Sequence, residues 1–302
     1  MNTTIVSEFP AYAWMDGSVI AWSKACLHVR TQGAFWGANV FEGVRGYWQA
    51  GAKGIRFFCL EEHLRRLRNS AKCLRMPVTT TDAKFHEALH VLVDANNFTE
   101  HVHAVIGLAY GMGVRCDSLG HTDTVHTHIT AIEMPRSIQL QSGISAGTSS
   151  WRRISDESMP PRIKAGANYH NSRLAHQEAT VAGFQTAIIL NNKGTVAESP
   201  GACVAAVLGD TVVSPPATAG ALPGITLGMV EKLTREQGLN FSRREIDRTE
   251  MYSADEVMLC GTLSEILPVT SIDHIQIGNG MPGPVVRRLQ QQYDALVGIR
   301  IA

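Results

Sequence analysis

The apolar positions of this chain follow two periods that alternate along its length. "YAWMDGSVIAW" reads as two strands turning at Asp16-Gly17, a favoured hairpin dipeptide. "GIRFFCL" is a short apolar strand. In "LEEHLRRLRNSAKCLRM", Leu64, Leu67, Ala71 and Leu74 recur at helical spacing behind an acidic first turn. "DAKFHEALHVLVDANN" repeats that logic, with Asp82 as N-cap and Phe85, Leu89, Leu92 and Val93 on one face. Strand-like "HVHAVIGLAY" and "TVHTHITAIEM" follow.

The second half begins after a weakly patterned stretch, "PRSIQLQSGISA". A helix over "NSRLAHQEATVAG" is expected to stop at Gly183, a C′ glycine. "FQTAIILNNKGTVAES" predicts strand, turn, strand. "PGITLGMVEKLTREQG" predicts a helix with proline and glycine in its first turn and Gly238 at its end. "DEVMLCGTLSEILPV" predicts two strands about a tight turn, and "PGPVVRRLQQQYDALV" a final helix. Strands and helices are intermixed in both halves, so the expected class is α/β (α+β) with two domains. Their expected bounds are a small domain over 1–135, a linker over 136–147 and a larger domain over 148–302.

Composition narrows the function classes. With 302 residues, 44% apolar and 18% charged, the chain can bury a substantial core. A formal net charge of zero argues against a nucleic-acid partner, because phosphate neutralisation needs a basic excess. The apolar runs, such as "VIGLAYGMGV", are too short and Gly-rich to span a bilayer. "MNTTIVSEFPAYAWMDG" lacks the basic and apolar regions of a secretory signal. Six cysteines, at 26, 59, 73, 116, 203 and 260, form no C-x-x-C pair, which suits reduced thiols and a cytoplasmic location.

Among candidate reactive groups, lysine is scarce: seven against twenty arginines. Lys72, Lys84 and Lys232 fall on polar helix faces, Lys53 and Lys193 in glycine turns, and Lys24 after a strand. Lys164, in "RIKAGANYHNS", stands among small residues at a helix entrance, which suits a partly desolvated nucleophilic amine, although spacing alone favours a structural lysine. A Schiff-base cofactor such as pyridoxal phosphate also needs an anion site, a carboxylate opposite its ring nitrogen and a donor at its phenolic oxygen. "LPGIT" (222–226) opens a helix, where free N–H groups favour phosphate. Gly261-Thr262 offers a second grip, and Glu198 ends a strand beside a turn. His126 and His128 lie on one face of a strand but lack further ligands at metal spacing, so no metal is expected.

"VFEGVRGY" (40–47), "EEHLRRLRNSAKCLRMP" (61–77), "KAGANYHNS" (164–172), "ALPGIT" (221–226), "ADEVMLCGTLSEILPV" (254–269) and "IGNGMPGPV" (277–285) together resemble the fold type IV pyridoxal-phosphate enzymes, nearest to the branched-chain amino acid aminotransferases. The resemblance runs through nearly the whole chain in order. It implies pyridoxal 5′-phosphate as cofactor, with Lys164 as its Schiff-base and proton-transfer residue. It implies Glu198 at the ring nitrogen, Tyr169 at the phenolic oxygen, and Arg66, Ile225, Thr226 and Thr262 at the phosphate. It further implies small-molecule amine and keto acid substrates, ping-pong kinetics, and a homodimer or higher homo-oligomer.

Substrate contacts are implied at Trp36, Phe41, Gly43, Arg45, His101, His103 and Leu263, and here the chain departs from the family. Trp36 replaces a tyrosine, and His101 and His103 stand where a tyrosine-x-arginine pair is usual. "SPGAC" replaces G-x-G-E-N after the acid, and "GITL" replaces "GITR". Loss of a fixed guanidinium weakens the case for glutamate and 2-oxoglutarate as the amino couple, since histidine is only partly charged at neutral pH. An aromatic, β-amino or non-carboxylate amine is then an alternative donor. Rival activities within the fold are D-amino acid transamination and aminodeoxychorismate cleavage. "FEGVR" and the long linker favour the branched-chain side, and a non-catalytic binding protein is disfavoured by Lys164, Tyr169 and Glu198 together.

Overall fold

A computed structural model describes residues 9–49, 51, 54–113 and 122–299. Lys53, Cys116 and His121 lie outside the described residues, as do the first eight residues of the N-terminal stretch considered as a signal. Two compact units emerge, one of residues 1–135 with 165–167, the other of 136–164 with 168–302. Both mix helix and sheet, as expected for the class.

The first unit is built on β1 (Tyr12–Met15), β2 (Ser18–Ala21), α1 (Gln32–Phe35), β3 (Asn39–Gln49), β4 (Gly54–Phe57), α2 (Leu60–Cys73), α3 (Asp82–Ala95), β5 (Val102–Tyr110) and β6 (Val125–Glu133). Its six strands form one antiparallel sheet in the order β2-β1-β6-β5-β3-β4. Asp16 and Gly17 both take positive φ, 47° and 99°, which is the backbone a two-residue hairpin of this twist requires. The alternating residues Val40, Val44, Val102, Ala104, Ile106 and Leu108 are buried. So are Leu60, Leu64, Leu67 and Ala71 on the apolar stripe of α2 and Phe85, Leu89 and Leu92 on that of α3. Each such leucine contributes about 1.5–3 kcal/mol of apolar burial. The N-cap of α3 is Thr81, whose hydroxyl accepts from Lys84 N–H; Asp82, the expected cap, is the first helical residue and complements the dipole instead.

The second unit holds α4 (Gln139–Ser142), β7 (Ile144–Arg152), α5 (Tyr169–Val181), β8 (Thr186–Leu190), β9 (Val196–Glu198), β10 (Cys203–Leu208), β11 (Thr211–Ser214), α6 (Ile225–Glu236), β12 (Asn240–Arg243), α7 (Arg248–Tyr252), β13 (Glu256–Gly261), β14 (Glu265–Ile272), β15 (Ile275–Gln276) and α8 (Pro284–Val297). Its nine strands run β12-β11-β10-β13-β14-β7-β8-β9, with β15 on β14. The β14/β7, β7/β8 and β11/β12 pairs are parallel and the others antiparallel. Residues 136–147, read from the sequence as a linker, carry a helical turn and the start of β7, because Leu140 and Ile144 are apolar enough to join the core with Ile188, Leu259 and Val269. Pro223 and Gly224, expected inside the first turn of α6, precede it: Gly224 is the N-cap, with φ −73° and ψ 128°. Gly183, Gly238 and Gly298 take positive φ just past α5, α6 and α8.

Candidate active site

Lys164 and Tyr169 flank a single 3₁₀ turn, Gly166–Asn168, that leads directly into α5. The buried Asn168 stitches this loop by donating to the carbonyls of Pro160, at 2.9 Å, and Ile163, at 3.0 Å. One turn of chain therefore returns the two side chains to each other. Lys164 Nζ donates to Tyr169 Oη at 2.6 Å and lies 5.0 Å from the centre of its ring. Lys164 is only partly exposed, whereas Lys24, Lys72, Lys193 and Lys232 are exposed, and Lys84 pairs with Glu87 at 3.0 Å on a helix face.

Glu198, the last residue of β9, is 5% exposed. Its Oε2 accepts from Leu222 N–H at 2.8 Å, and its Oε1 faces Arg153 Nη2 at 2.8 Å. Burial pushes the carboxyl above its ordinary range; Arg153, the Leu222 N–H and Lys164 pull against that. The bond to Leu222 also fixes the segment that opens α6, so Ile225 and Thr226 present a helix N-terminus a few residues from the acid. Cys203 Sγ donates to Leu222 O, and a Cβ on Gly224 would meet that sulfur at 2.5 Å, so only glycine lets the cap lie so close.

Thr262 sits in the turn between β13 and β14. A Cβ on Gly261 would come within 3.1 Å of Ala202 Cβ and of Gly201 O, which packs this turn against the one following Glu198. Leu263, beside it, is 39% exposed. A cavity of about 580 Å³ is bordered by Tyr169, the 199–202 turn and Ser264, next to Lys164 and Glu198 in sequence but not lined by either.

Sequence reasoning missed Arg153. It is 4% exposed, and besides Glu198 it donates to Gly220 O at 3.1 Å, with Asn171 Oδ1 and Ser172 Oγ at 3.3 and 3.4 Å. Its partners lie 18 to 67 residues away, so no local spacing announces it. The one available signal was an arginine just past the end of a strand, in "SSWRRIS".

The remaining candidates belong to the first unit. Phe41, Gly43 and Arg45 alternate on one face of β3, and His103 is the cross-strand partner of Arg45. A Cβ on Gly43 would strike His103 Nε2 at 2.6 Å, so the imidazole lies across that glycine. The sheet thus sets a buried guanidinium, Arg45, directly beside the His103 imidazole. His101 Nδ1 accepts from Trp48 N–H at 2.9 Å, and Trp36, at the end of α1, is 53% exposed. Arg66 is held on α2 by Glu42, which accepts from Nε at 2.7 Å and from Nη2 at 2.8 Å while also facing His63 Nδ1 at 2.7 Å. His126 Nδ1 lies 2.8 Å from Asp16, and no group of three or more metal-binding side chains occurs among the described residues.

The profile of the family described as Amino-transferase class IV matches residues 39–272. The branched-chain-amino-acid aminotransferase of Escherichia coli is 36% identical over 287 residues, spanning 94% of this chain and 92% of its own. That of Pseudomonas aeruginosa is 34% identical over 289 residues, with 94% and 92% covered. Among solved structures, the E. coli branched-chain amino acid aminotransferase superposes with a TM-score of 0.91 at 34% identity, covering 96% of each chain. The Thermobaculum terrenum branched-chain amino acid aminotransferase in its PLP holo-form gives 0.88 at 39%, covering 96% of this chain and 95% of that one. The Lys164–Tyr169 contact, the buried Glu198 and the helix N-terminus tied to that acid are carried on a sequence shared over 94% of the chain and a fold shared over 96% of it, and the chain belongs to the class IV aminotransferases.

Proposed function

We propose that this chain is a pyridoxal 5′-phosphate-dependent aminotransferase acting on branched-chain or related amino acids and their keto acids. The single observation that carries this reading is the pairing of Lys164 with Tyr169 at 2.6 Å in the unit that also buries Glu198. These residues fit the cofactor: an amine for its aldehyde, a phenol for its phenolic oxygen, a buried anion for its ring nitrogen, and the start of α6 with Thr262 for its phosphate. When bound, the cofactor supplies an aldehyde that takes up amines and a ring that draws electrons from them.

The residues then have defined tasks. Lys164 Nζ would anchor the cofactor and, as a free amine, would take up the proton from the substrate α-carbon. Tyr169 Oη orients that nitrogen through their hydrogen bond. Glu198 would hold a proton on the ring nitrogen, and the Arg153 guanidinium beside it opposes the rise that burial imposes on its pKa. The first N–H groups of α6, at Ile225 and Thr226, would hold the phosphate with the favourable end of the helix dipole. Leu263 and the row Phe41, Gly43, Arg45 and His103 are the proposed substrate contacts, and the adjacency of Arg45 to His103 supports a donor that carries a carboxylate.

Borohydride reduction of the holoenzyme followed by peptide mapping tests the anchor. The tag is expected on Lys164, and the visible absorbance band is expected to vanish in Lys164→Ala. A tag on another lysine overturns the assignment. A panel of donors with and without an α-carboxylate, scored by loss of that band, tests the substrate class.

A further inference from the structure

The turn that carries Thr262 ends on a residue in an unexpected conformation. Glu265, first in β14 and opposite Gly261, has φ +49°, the left-handed region that favours glycine. A glycine would sit there without strain, so the part of Glu265 that the fold uses is its carboxylate. That carboxylate is 2% exposed and engaged at both oxygens: Arg136 Nε donates to Oε1 at 3.0 Å and to Oε2 at 2.9 Å, and Nη2 donates to Oε2 as well. The same guanidinium reaches Asp294 on α8. One turn of helix earlier, Gln290 Nε2 donates to Ile266 O at 2.9 Å and to Leu140 O at 2.8 Å. The base of the turn is therefore tied at two successive residues, 265 and 266, to the same helix and to the segment just after residue 135.

We propose that Arg136 and Glu265 are positioning residues for Thr262: their forked ion pair holds the left-handed residue in place and so fixes the turn that presents the Thr262 hydroxyl to the cofactor's phosphate. Local strain of this kind persists only where surrounding contacts over-determine it, and a bidentate arginine supplies such a contact in a fixed plane. A lysine at 136 would supply the charge without the fork. The inference rests on the reading of Thr262 as a phosphate ligand, and it adds two residues that touch neither cofactor nor substrate.

The test compares binding of pyridoxal 5′-phosphate and of pyridoxal, which lacks the phosphate, to cofactor-free protein by quenching of tryptophan fluorescence. Four variants are used: Thr262→Ala, Glu265→Gly, Arg136→Lys and the Thr262→Ala/Glu265→Gly double. Glu265→Gly keeps a backbone suited to the turn and removes only the clasp, and Arg136→Lys serves if that variant does not fold. Glu265→Gly is expected to weaken pyridoxal 5′-phosphate about ten-fold and leave pyridoxal unchanged, with the double variant no weaker than Thr262→Ala alone. A purely structural role would weaken both ligands together, and that outcome overturns the proposal. So does a wild-type preference for the phosphorylated ligand in Glu265→Gly when Thr262→Ala has lost it. If Thr262→Ala itself keeps the preference, the phosphate assignment fails first and the proposal falls with it.

Discussion

Lys164 Nζ donates to Tyr169 Oη across 2.6 Å, and the two are joined by a loop that Asn168 pins from within. Replacing the phenol by phenylalanine keeps the ring and deletes the partner. A hydrogen bond to a charged group is worth about 1.5–3 kcal/mol, so kcat/KM of Tyr169→Phe is expected to fall about ten- to a hundred-fold. Borohydride should still fix the cofactor on Lys164. Wild-type turnover by this variant would mean that the hydroxyl only packs.

Arg153 and Glu198 are a buried pair, and breaking one costs about 3–5 kcal/mol, part of which the stranded carboxyl escapes by taking up a proton. In Arg153→Met, burial acts on Glu198 with its main opposing charge gone, so its already raised pKa climbs further. Ionised Glu198 is the form that holds a proton on the ring nitrogen. The acid limb of the kcat/KM profile is therefore expected to move to higher pH, as read from initial rates between pH 5 and 9. An unmoved limb would exclude Arg153 as the group that keeps the acid charged.

Asp273 sits in the second unit at φ 52° and accepts from Thr148 N–H and Oγ1, each at 2.6 Å, Tyr252 Oη at 2.6 Å and Arg248 Nη2 at 2.9 Å. Burial alone would raise its pKa, but these hydrogen bonds outweigh it and hold the carboxyl below the usual range. A depressed folded-state pKa means stability that is full above the unfolded value and lost as pH falls through the folded one. Asp273→Asn, which tolerates the same backbone, is expected to cost about 1–3 kcal/mol at neutral pH, and the gap should close in acid, below the ordinary aspartate range. Urea unfolding at the two pH values measures it; a gap independent of pH would assign the loss to packing.

Gly43 leaves room for one edge of the His103 ring. An added methyl at 2.6 Å from Nε2 must push the imidazole aside, which a side-chain tip can accommodate without unfolding the sheet. Gly43→Ala is expected to raise KM for the amino donor about three- to ten-fold while cofactor affinity stays at its wild-type value, since the displaced ring is a proposed substrate contact. Equal losses in both would place the damage in the fold rather than in donor recognition.

Features that rest on short-range chemistry were legible from the chain. Asp16-Gly17, Gly183, Gly238 and the stripe on α2 follow from local backbone preference and helical spacing, and Lys164 stands out by its small neighbours. Glu198 could be named as a candidate from its place at a strand end, but its burial could not be read, because such an acid looks the same in sequence whether its surroundings are wet or dry. Arg153 and Glu42 stayed hidden because their roles are set by partners 45 and 24 residues distant, a matter of tertiary packing. Glu265 could not be read at all: the left-handed turn position is one that glycine would have announced, and the glutamate there depends on an arginine 129 residues earlier. That Arg45 and His103 are cross-strand partners could not be read from the chain either, because it depends on the register of β3 against β5.

The position of β14 in the second sheet has a consequence for biosynthesis. This strand alone joins β13 on one side to β7 on the other, so until residues 265–272 leave the ribosome the sheet exists as two separate fragments, each with a bare hydrogen-bonding edge. Its parallel pairing with β7 must close a loop spanning more than a third of the chain, a slow event whose entropic cost falls before any contact repays it. Nascent chains stalled short of that strand are the species most exposed to self-association.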